Sequence, residues 1–213
     1  NWNGGGLIPA LPTASTLSII DPGRGLIEID TKENANYTIS SFSQTGDVAI
    51  IPVSDNETVY ITYRDNNGFD RSLPGHGVLI EYQDTANGDI EENMLNSNPQ
   101  YPWTYIIEAD ANDALILGDN DGEYTDTFQP GSMFGNQGII IRDSTGKIVP
   151  WSVEIVNFRE GNALIDVIVS EPAVLVNIER SPIVLLGNET LSAHVFLEDD
   201  CELEINSRWS PSE

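Results

Sequence analysis

The sequence predicts an all-β protein, either an antiparallel β-sandwich or a barrel-like sandwich with long acidic loops. Apolar and polar residues alternate with a period of two along much of the chain, and no amphipathic helix longer than about two turns is evident. Residues 58–64 (TVYITYR) are typical, because Val59, Ile61 and Tyr63 fall on one face of an extended strand. Short strands separated by Gly, Pro, Asn and Asp are typical of sandwiches and barrels.

The strands can be assigned in order from this alternation and from β-branched and aromatic residues. They cover residues 16–20, 26–29, 37–42, 48–53, 58–64, 77–83, 105–108, 139–142, 147–156, 163–169, 174–178, 183–186, 191–197 and 201–205. Turn sequences at 143–146 (DSTG) and 159–162 (REGN) join neighbouring strands and predict antiparallel hairpins. Residues 84–103 lack the alternation and predict a long loop, a feature that is usually functional or held by a ligand.

The chain is expected to contain one large β domain and a short tail. Its 213 residues, 39% of them hydrophobic, are sufficient for a sizeable core. Residues 1–170 are assigned to a β-sandwich domain, with a boundary near Ser170-Glu171-Pro172. Residues 171–213 are too few for a complete immunoglobulin-like domain of about 100 residues. They are therefore either extra strands of the main sheet or the start of a further β module.

The chain is strongly acidic, with 34 Asp and Glu residues against 9 Lys and Arg residues and a formal net charge of -25. This charge repels phosphate backbones and anionic membranes, so nucleic-acid binding is not expected. No apolar stretch reaches the roughly 20 residues that span a bilayer. The first residues, Asn1-Trp2-Asn3, do not resemble a signal peptide, which leaves two expectations. Either a leader has been removed, or the chain is an interior piece of a longer protein.

The residue patterns of common hydrolytic sites are missing. Neither His76 nor His194 lies in the H-E-x-x-H motif of a zinc peptidase, and both are expected at the surface. There is no G-x-S-x-G motif for a serine nucleophile. Cys201 falls on the apolar face of an alternating strand and is interpreted as a buried hydrophobic residue. The sequence therefore predicts no catalytic residue in this chain.

The acidic segment, residues 108–128, gives the strongest functional signal. From Ser72 to Ile141 there is no Lys or Arg, so its carboxylates have no local basic partner. Oxygen ligands close together around Gly118 and Gly122 would allow a loop to wrap a structural calcium ion, although their spacing differs from that of an EF-hand. The predicted calcium ligands are Asp84, Glu108, Asp110, Asp113, Asp119, Asp121, Glu123 and Asp126. A solvated acidic loop without an ion is the alternative.

An ordered set of motifs surrounds this segment. Residues 60–64 (YITYR) are followed by residues 68–70 (GFD), residues 73–80 (LPGHGVLI), Asp84, residues 108–110 (EAD) and residues 118–128 (GDNDGEYTDTF). The set resembles the region that follows the catalytic core in secreted zinc metallopeptidases of the immune inhibitor A type, and the likeness covers about residues 15–170. The chain departs from that family in two ways. Glu81-Tyr82 stands where the family has an aromatic-His pair, and the zinc-binding H-E-x-x-H helix is absent.

The resemblance implies a non-catalytic, calcium-stabilised β domain of a secreted zinc metallopeptidase. Such a domain would pack beside the catalytic domain of the same parent protein, shape the access of a protein substrate and act outside the cell. It also implies that zinc is bound only by the missing catalytic part, so this chain is not expected to be an active hydrolase alone. A degenerate relative that never had the zinc site is the other possibility.

A second hypothesis is an extracellular module that binds carbohydrate or protein and has no peptidase role. Its candidate binding residues are the aromatic side chains Trp103 and Tyr105, with Tyr101 near them. If these side chains are exposed they form a binding platform, and if they are buried they are core or loop anchors.

Overall fold

The computed structural model describes residues 10–22 and 24–171 in full, and the backbone of residues 191–196 and 202–207. The chain forms two compact units, Asn1–Glu171 and Pro172–Glu213, and each is described by itself. The first unit contains two five-stranded sheets that share one core, which confirms the predicted all-β sandwich. Within the described residues neither sheet closes into a barrel.

The first sheet is built mainly from the N-terminal half of the chain. Its strands are β1 (Ile27–Glu28), β3 (Ala49–Pro52), β4 (Glu57–Arg64), β5 (Gly77–Asp84) and β6 (Thr104–Ile107). They lie in the order β1-β3-β4-β5-β6. β1 runs parallel to β3, and the other neighbours are antiparallel.

The second sheet combines one early strand with the C-terminal strands of the unit. Its strands are β2 (Ala35–Ser40), β7 (Met133–Gly135), β8 (Ile139–Ile140), β9 (Trp151–Arg159) and β10 (Asn162–Val169). They lie in the order β2-β10-β9-β7-β8, and β7 and β8 are parallel. The predicted hairpins are confirmed, since β9 and β10 are antiparallel and an antiparallel bridge joins Arg142 to Ile148 across the DSTG turn.

The core lies between the two sheets. Val59, Ile61 and Tyr63 of β4 are all buried in it, as their alternation predicts. Phe134 of β7 contributes from the second sheet and packs edge-to-face on Phe128, with ring centroids 5.3 Å apart. Burial of alternate apolar side chains from both sheets is the main stabilising interaction of this unit.

Residues 16–20 do not form the predicted strand, because they belong to helix α1 (Ala14–Ile20). The side chain of Thr13 caps the helix by accepting a hydrogen bond from the N–H of Thr16. The carboxylate of Glu81 on β5 accepts hydrogen bonds from the N–H groups of Ala14 and Ser15 at 2.8 and 3.0 Å. This interaction joins residues far apart in sequence, so local alternation could not reveal it.

A buried ion pair holds the segment that precedes α1 on the outer face of the first sheet. Arg64 Nη1 lies 3.1 Å from Asp70 Oδ2, and both side chains are almost fully buried. The guanidinium donates to the Pro12 carbonyl and lies 4.0 Å from the centre of the Phe42 ring. The N–H of Leu11 donates to Asp70 Oδ1 at 3.2 Å. The Arg of YITYR and the Asp of GFD therefore have a packing role.

The remaining differences concern short elements. Residue 42 does not continue a strand, because it begins the short helix α2 (Phe42–Thr45). Strand β7 was not predicted, since three residues are too few to show an alternation. The segments Gly68–Ser72 and Tyr124–Asp126 are 3₁₀ helices, and α3 (Ala114–Leu117) is a single turn. The predicted loop between β5 and β6 contains neither helix nor strand.

In the second unit, β11 (Leu191–Phe196) and β12 (Glu202–Ser207) form an antiparallel pair, with His194 opposite Glu204. The strands predicted at 174–178 and 183–186 lie outside the described residues, as does Cys201. In the part of the chain that the structure describes, no helix has both the length and the apolar character required to cross a membrane.

Candidate metal site

Three of the predicted calcium ligands, Glu108, Asp110 and Asp126, lie together near the end of β6. One carboxylate oxygen of each residue is within 4.8 Å of the other two. Glu108 and Asp110 follow β6 directly, and Asp126 ends the second 3₁₀ helix. A backbone hydrogen bond of 3.1 Å from the Ala109 N–H to the Asp126 carbonyl joins the two segments. We call these three residues the carboxylate trio.

Two glycines allow the acidic segment to approach β5 closely. A Cβ atom on Gly75 would lie 2.9 Å from the Cα of Tyr124, and one on Gly77 would lie 2.8 Å from the carbonyl oxygen of Phe128. Val78 and Phe128 exchange two backbone hydrogen bonds of 3.0 and 2.8 Å at this point. The LPGHG motif therefore holds the acidic segment against the first sheet.

Glu108 is the most restrained member of the trio. Its side chain is buried and accepts hydrogen bonds from the N–H groups of Ala114 and Leu115 at 3.1 and 2.9 Å. Burial raises the pKa of Glu108, and repulsion from Asp126 and Asp110 adds to the increase, while the two N–H groups oppose it. The carboxylate is thus fixed in position, although its environment disfavours the charge.

Asp126 carries a buried oxygen atom without a partner. The residue is only 4% exposed. Its Oδ2 accepts a hydrogen bond from the Glu123 N–H at 2.6 Å, whereas its Oδ1 has no hydrogen-bond partner. Burial raises the pKa of Asp126, and repulsion from Asp110 and Glu123 raises it further. A buried carboxylate oxygen that lacks a donor is costly unless another group binds it.

Asp110 opens the trio to solvent. It is exposed, and its two oxygens accept hydrogen bonds from the N–H and the side-chain amide of Asn112 at 3.2 and 3.0 Å. An ion could therefore reach the two buried carboxylates past Asp110.

The geometry and chemistry of the trio fit a hard cation. Calcium binds oxygen at about 2.3 to 2.6 Å, so two oxygens on one ion are at most about 5 Å apart. The separations in the trio meet this limit. Calcium takes roughly six to eight oxygens, so water or backbone carbonyls would complete the shell. Among the described residues the ion pairs are Arg64–Asp70 and Arg159–Glu160, and neither involves the trio.

The other predicted ligands lie outside the trio. Asp84 accepts hydrogen bonds from the Ala86 N–H and the Asn87 side chain in the turn after β5. Four more are exposed along the acidic segment: Asp113, Asp119, Asp121 and Glu123. Among the side chains that the structure describes, no second group of three metal-binding residues is as closely spaced. Only part of the predicted ligand set can therefore bind one ion together.

The candidate aromatic platform is not a single exposed surface. Trp103 is 4% exposed and is a buried anchor, so it cannot stack on a ligand as the binding hypothesis requires. Tyr105 is half-buried and packs on Tyr82, with ring centroids 5.5 Å apart. Tyr101 is exposed. Trp103 is therefore not available as a binding residue of an exposed aromatic platform.

The surroundings of His76, the histidine whose side chain the structure describes, do not fit a catalytic zinc site. His76 is exposed and packs against the edge of Tyr124, with ring centroids 5.4 Å apart. The closely spaced metal-binding group among the described side chains contains carboxylates only, whereas zinc sites commonly include nitrogen or sulfur ligands. The side chain of His194 lies outside the described residues.

Sequence reasoning missed a second buried carboxylate centre at Glu57. Its carboxylate accepts hydrogen bonds from the Tyr82 hydroxyl at 2.5 Å, the Ser54 hydroxyl at 2.6 Å and the Ser144 N–H at 2.6 Å. Burial alone would raise the pKa of Glu57, but these donors lower it below its usual value. Because its donors come from separate turns and strands, no sequence pattern marks this residue. Its hydrogen bonds indicate a structural role.

The chain matches no protein-family model, no curated protein and no solved structure with which it was compared. Its function must therefore be inferred from its residues and their geometry.

Proposed function

We propose that residues 1–171 form a non-catalytic β-sandwich domain that binds a stabilising calcium ion through Glu108, Asp110 and Asp126. The observation that carries the proposal is Asp126 Oδ1, which is buried without a hydrogen-bond partner beside two further carboxylates. A divalent cation would satisfy this oxygen and would offset both the burial and the carboxylate repulsion that raise the pKa values of Glu108 and Asp126.

The position of the trio favours a structural role for the ion. Glu108 follows β6 and caps α3, while Asp126 precedes the segment that is bonded to β5. An ion shared by these residues would hold both ends of the acidic segment together. Glu108 is 2% exposed and both of its oxygens accept backbone hydrogen bonds, so it is poorly placed to contact a substrate.

Calcium is favoured over magnesium and zinc by the donor set. All three side chains offer carboxylate oxygens, which suit hard cations, and none offers the nitrogen or sulfur that zinc prefers. Magnesium requires near-ideal octahedral geometry and retains most of its water. Two carboxylates fixed by backbone hydrogen bonds are better suited to the flexible coordination of calcium.

We further propose that this domain belongs to a secreted zinc metallopeptidase, where it packs beside the catalytic domain and shapes access of a protein substrate. The support is the ordered motif set from YITYR to GDNDGEYTDTF, which resembles the immune inhibitor A type. Two of these motifs contact each other, since Gly75 and Gly77 lie against Tyr124 and Phe128. The motif set is thus consistent with one packed element that carries the trio.

A calcium titration tests the cation proposal. Calcium added to metal-free protein should raise the melting temperature, and the stabilisation should reach about 2.7 kcal/mol when free calcium is a hundred times the dissociation constant. Magnesium at the same concentration and ionic strength should have a smaller effect. The absence of a shift at millimolar calcium would contradict the proposal.

A further inference from the structure

Strand β6 forms one edge of the first sheet. It pairs with β5, where Tyr105 lies opposite Tyr82, and the sheet order ends at β6. An edge strand presents backbone N–H and C=O groups with which another extended chain can pair. Among the described residues no other strand pairs with this edge of β6, which is therefore a candidate interaction surface.

A side chain already pairs with the first outward-facing residue of this edge. Asn96 Oδ1 accepts a hydrogen bond from the Thr104 N–H at 2.9 Å, and Asn96 Nδ2 donates to the Thr104 carbonyl at 3.0 Å. A neighbouring antiparallel strand makes the same two bonds with its peptide groups. Outward-facing residues alternate along a strand, so the next one is Ile106. No side chain or loop among the described residues hydrogen-bonds to the Ile106 backbone.

A groove lies on each face of the sheet beside this edge. The outer groove, of about 260 Å³, is lined by the loop before β6 and by α3, including Pro99, Pro102, Leu115 and Ile116. The inner groove, of about 420 Å³, lies between β6 and β8 and is lined by Tyr105, Ile107, Ile139 and Ile140, among others. Ile116 in the outer groove is 41% exposed and Ile140 in the inner groove is 44% exposed, so each groove presents an apolar side chain to solvent.

We propose that the edge of β6 binds an extended peptide segment of a partner protein as an added strand. The peptide pairs with the N–H and C=O of Ile106, and its alternate side chains enter the outer and inner grooves. Strand addition of this type obtains affinity from main-chain hydrogen bonds and specificity from pockets for alternate side chains. Asn96 already pairs with the N–H and C=O of Thr104, so the pairing of the peptide begins at Ile106.

Charge favours a basic peptide over a second copy of this chain. Asp113, which lies outside the carboxylate trio, is exposed and lines the inner groove. Arg142 also lines the inner groove, but its Nη1 donates to the Gly146 carbonyl at 3.0 Å. Two copies would each bring a net charge of -25 and would repel one another. The peptide is therefore expected to carry apolar residues at alternate positions and Lys or Arg next to them.

The experiment uses a displayed library of random nine-residue peptides, selected on the immobilised full chain with and without calcium. The expected consensus alternates apolar residues and contains Lys or Arg. The consensus peptide is then synthesised with single backbone N-methyl groups, each of which removes one N–H donor. Because Ile106 offers one C=O acceptor, methylation of the one peptide N–H that pairs with it should weaken binding at least tenfold, while methylation at the neighbouring positions should have little effect.

Protein variants locate the bound peptide. Ile116→Ser, in the outer groove, should weaken binding at least fivefold, whereas Leu117→Ser, on the same helix and outside the groove residues, should not. Amide hydrogen exchange at Ile106 should slow when the consensus peptide binds. The inference is overturned if no peptide is enriched, if no single N-methyl group weakens binding, or if Ile106 exchange is unchanged. If the chain forms a dimer in which Ile106 exchange is slow without any peptide, the edge binds a second copy of the chain, and the partner peptide is ruled out. If the peptide binds but calcium does not stabilise the protein, the cation proposal fails while this inference holds.

Discussion

The carboxylate of Glu81 accepts two hydrogen bonds from Ser15, one from the backbone N–H at 3.0 Å and one from the hydroxyl at 2.8 Å. Glu81 lies on β5 and Ser15 lies in the first turn of α1, and both side chains are buried. With the Ala14 N–H as a third donor, the carboxylate is bonded almost entirely by α1. One side chain thus holds the helix on the sheet.

Glu81→Gln is expected to lower the free energy of unfolding by about 2 to 4 kcal/mol. A glutamine amide offers one acceptor oxygen and directs an NH₂ group at the N–H donors of α1. Urea unfolding measures the change, and the exposed Glu91→Gln is the control because it removes the same charge. Equal unfolding midpoints for the two variants would contradict the assigned role of Glu81. Faster amide exchange at Ala14 and Ser15 should accompany the loss.

Asp126→Asn is expected to change stability in opposite directions with and without calcium. In metal-free protein it should not destabilise, because it removes a buried charge that the environment disfavours. In millimolar calcium it should be less stable than wild type, because the ion loses a ligand. Asp121→Asn removes a charge from an exposed position outside the trio and should retain the calcium effect. Melting curves that respond equally to calcium in the two variants would argue against the site.

The metal-free protein should become more stable as the pH falls from neutral toward the ordinary pKa values of Asp and Glu, about 3.9 and 4.3. The pKa values of Glu108 and Asp126 are raised in the folded chain, so each group binds its proton more tightly there than in the unfolded chain. Their unfavourable contribution is present at neutral pH and is lost as the pH falls through the folded pKa values. Glu57 has a lowered pKa, so its stabilising contribution is lost only at lower pH.

The matched control for this pH dependence is the double variant Glu108→Gln, Asp126→Asn, which should show a smaller rise over the same range. Calcium affinity should decrease as the pH falls, because the ion requires the deprotonated carboxylates. Urea unfolding across the pH range, with and without calcium, measures both effects. An identical pH profile for wild type and double variant would contradict the assignment.

Sodium chloride is expected to stabilise the protein even without divalent ions. The chain has 34 acidic and 9 basic side chains, and self-repulsion of this kind destabilises a compact state. Raising the salt from about 0.01 M to 1 M shortens the screening length from about 30 to 3 Å. Thermal melting should shift upward and level off. A calcium effect that persists at 1 M sodium chloride would distinguish site binding from screening, whereas a melting temperature independent of salt would contradict the repulsion.

The chain alone is expected not to digest casein, with or without added zinc. The carboxylate trio contains no histidine, and His76 is not in a metal-binding group. Release of peptides from casein gives the measurement, with a zinc metallopeptidase as the positive control. Proteolysis that a chelator abolishes would show that this chain carries a catalytic site.

The sandwich could be predicted from sequence because its strands bury one face. In β4 the alternation of Val59, Ile61 and Tyr63 matches their burial directly. Residues 16–20 could not be assigned correctly, since the hydrogen bonds from Ala14 and Ser15 to Glu81 favour a helix there. Local patterns therefore sufficed where burial is periodic and failed where a distant side chain decides the structure.

The sequence predicted that the candidate site consists of carboxylates, but not which of them lie together. Lack of Lys and Arg pointed to the acidic segment, yet which carboxylates meet depends on the bond between Ala109 and Asp126 and on the close approach at Gly75. Trp103 is buried although it falls at the end of the predicted loop, because its carbonyl accepts a hydrogen bond from the Asp84 N–H and so extends the pairing of β6 with β5.

The pairing of β2 with β10 determines when this domain can finish folding during synthesis. Asn36 on β2 meets Asp166 on β10, and the two residues are 130 positions apart. At a translation rate of about 5 to 20 residues per second, β2 waits on the order of ten seconds for β10, its one partner in the second sheet among the described strands. During that interval the backbone groups of β2 lack their partners and are open to association with other chains.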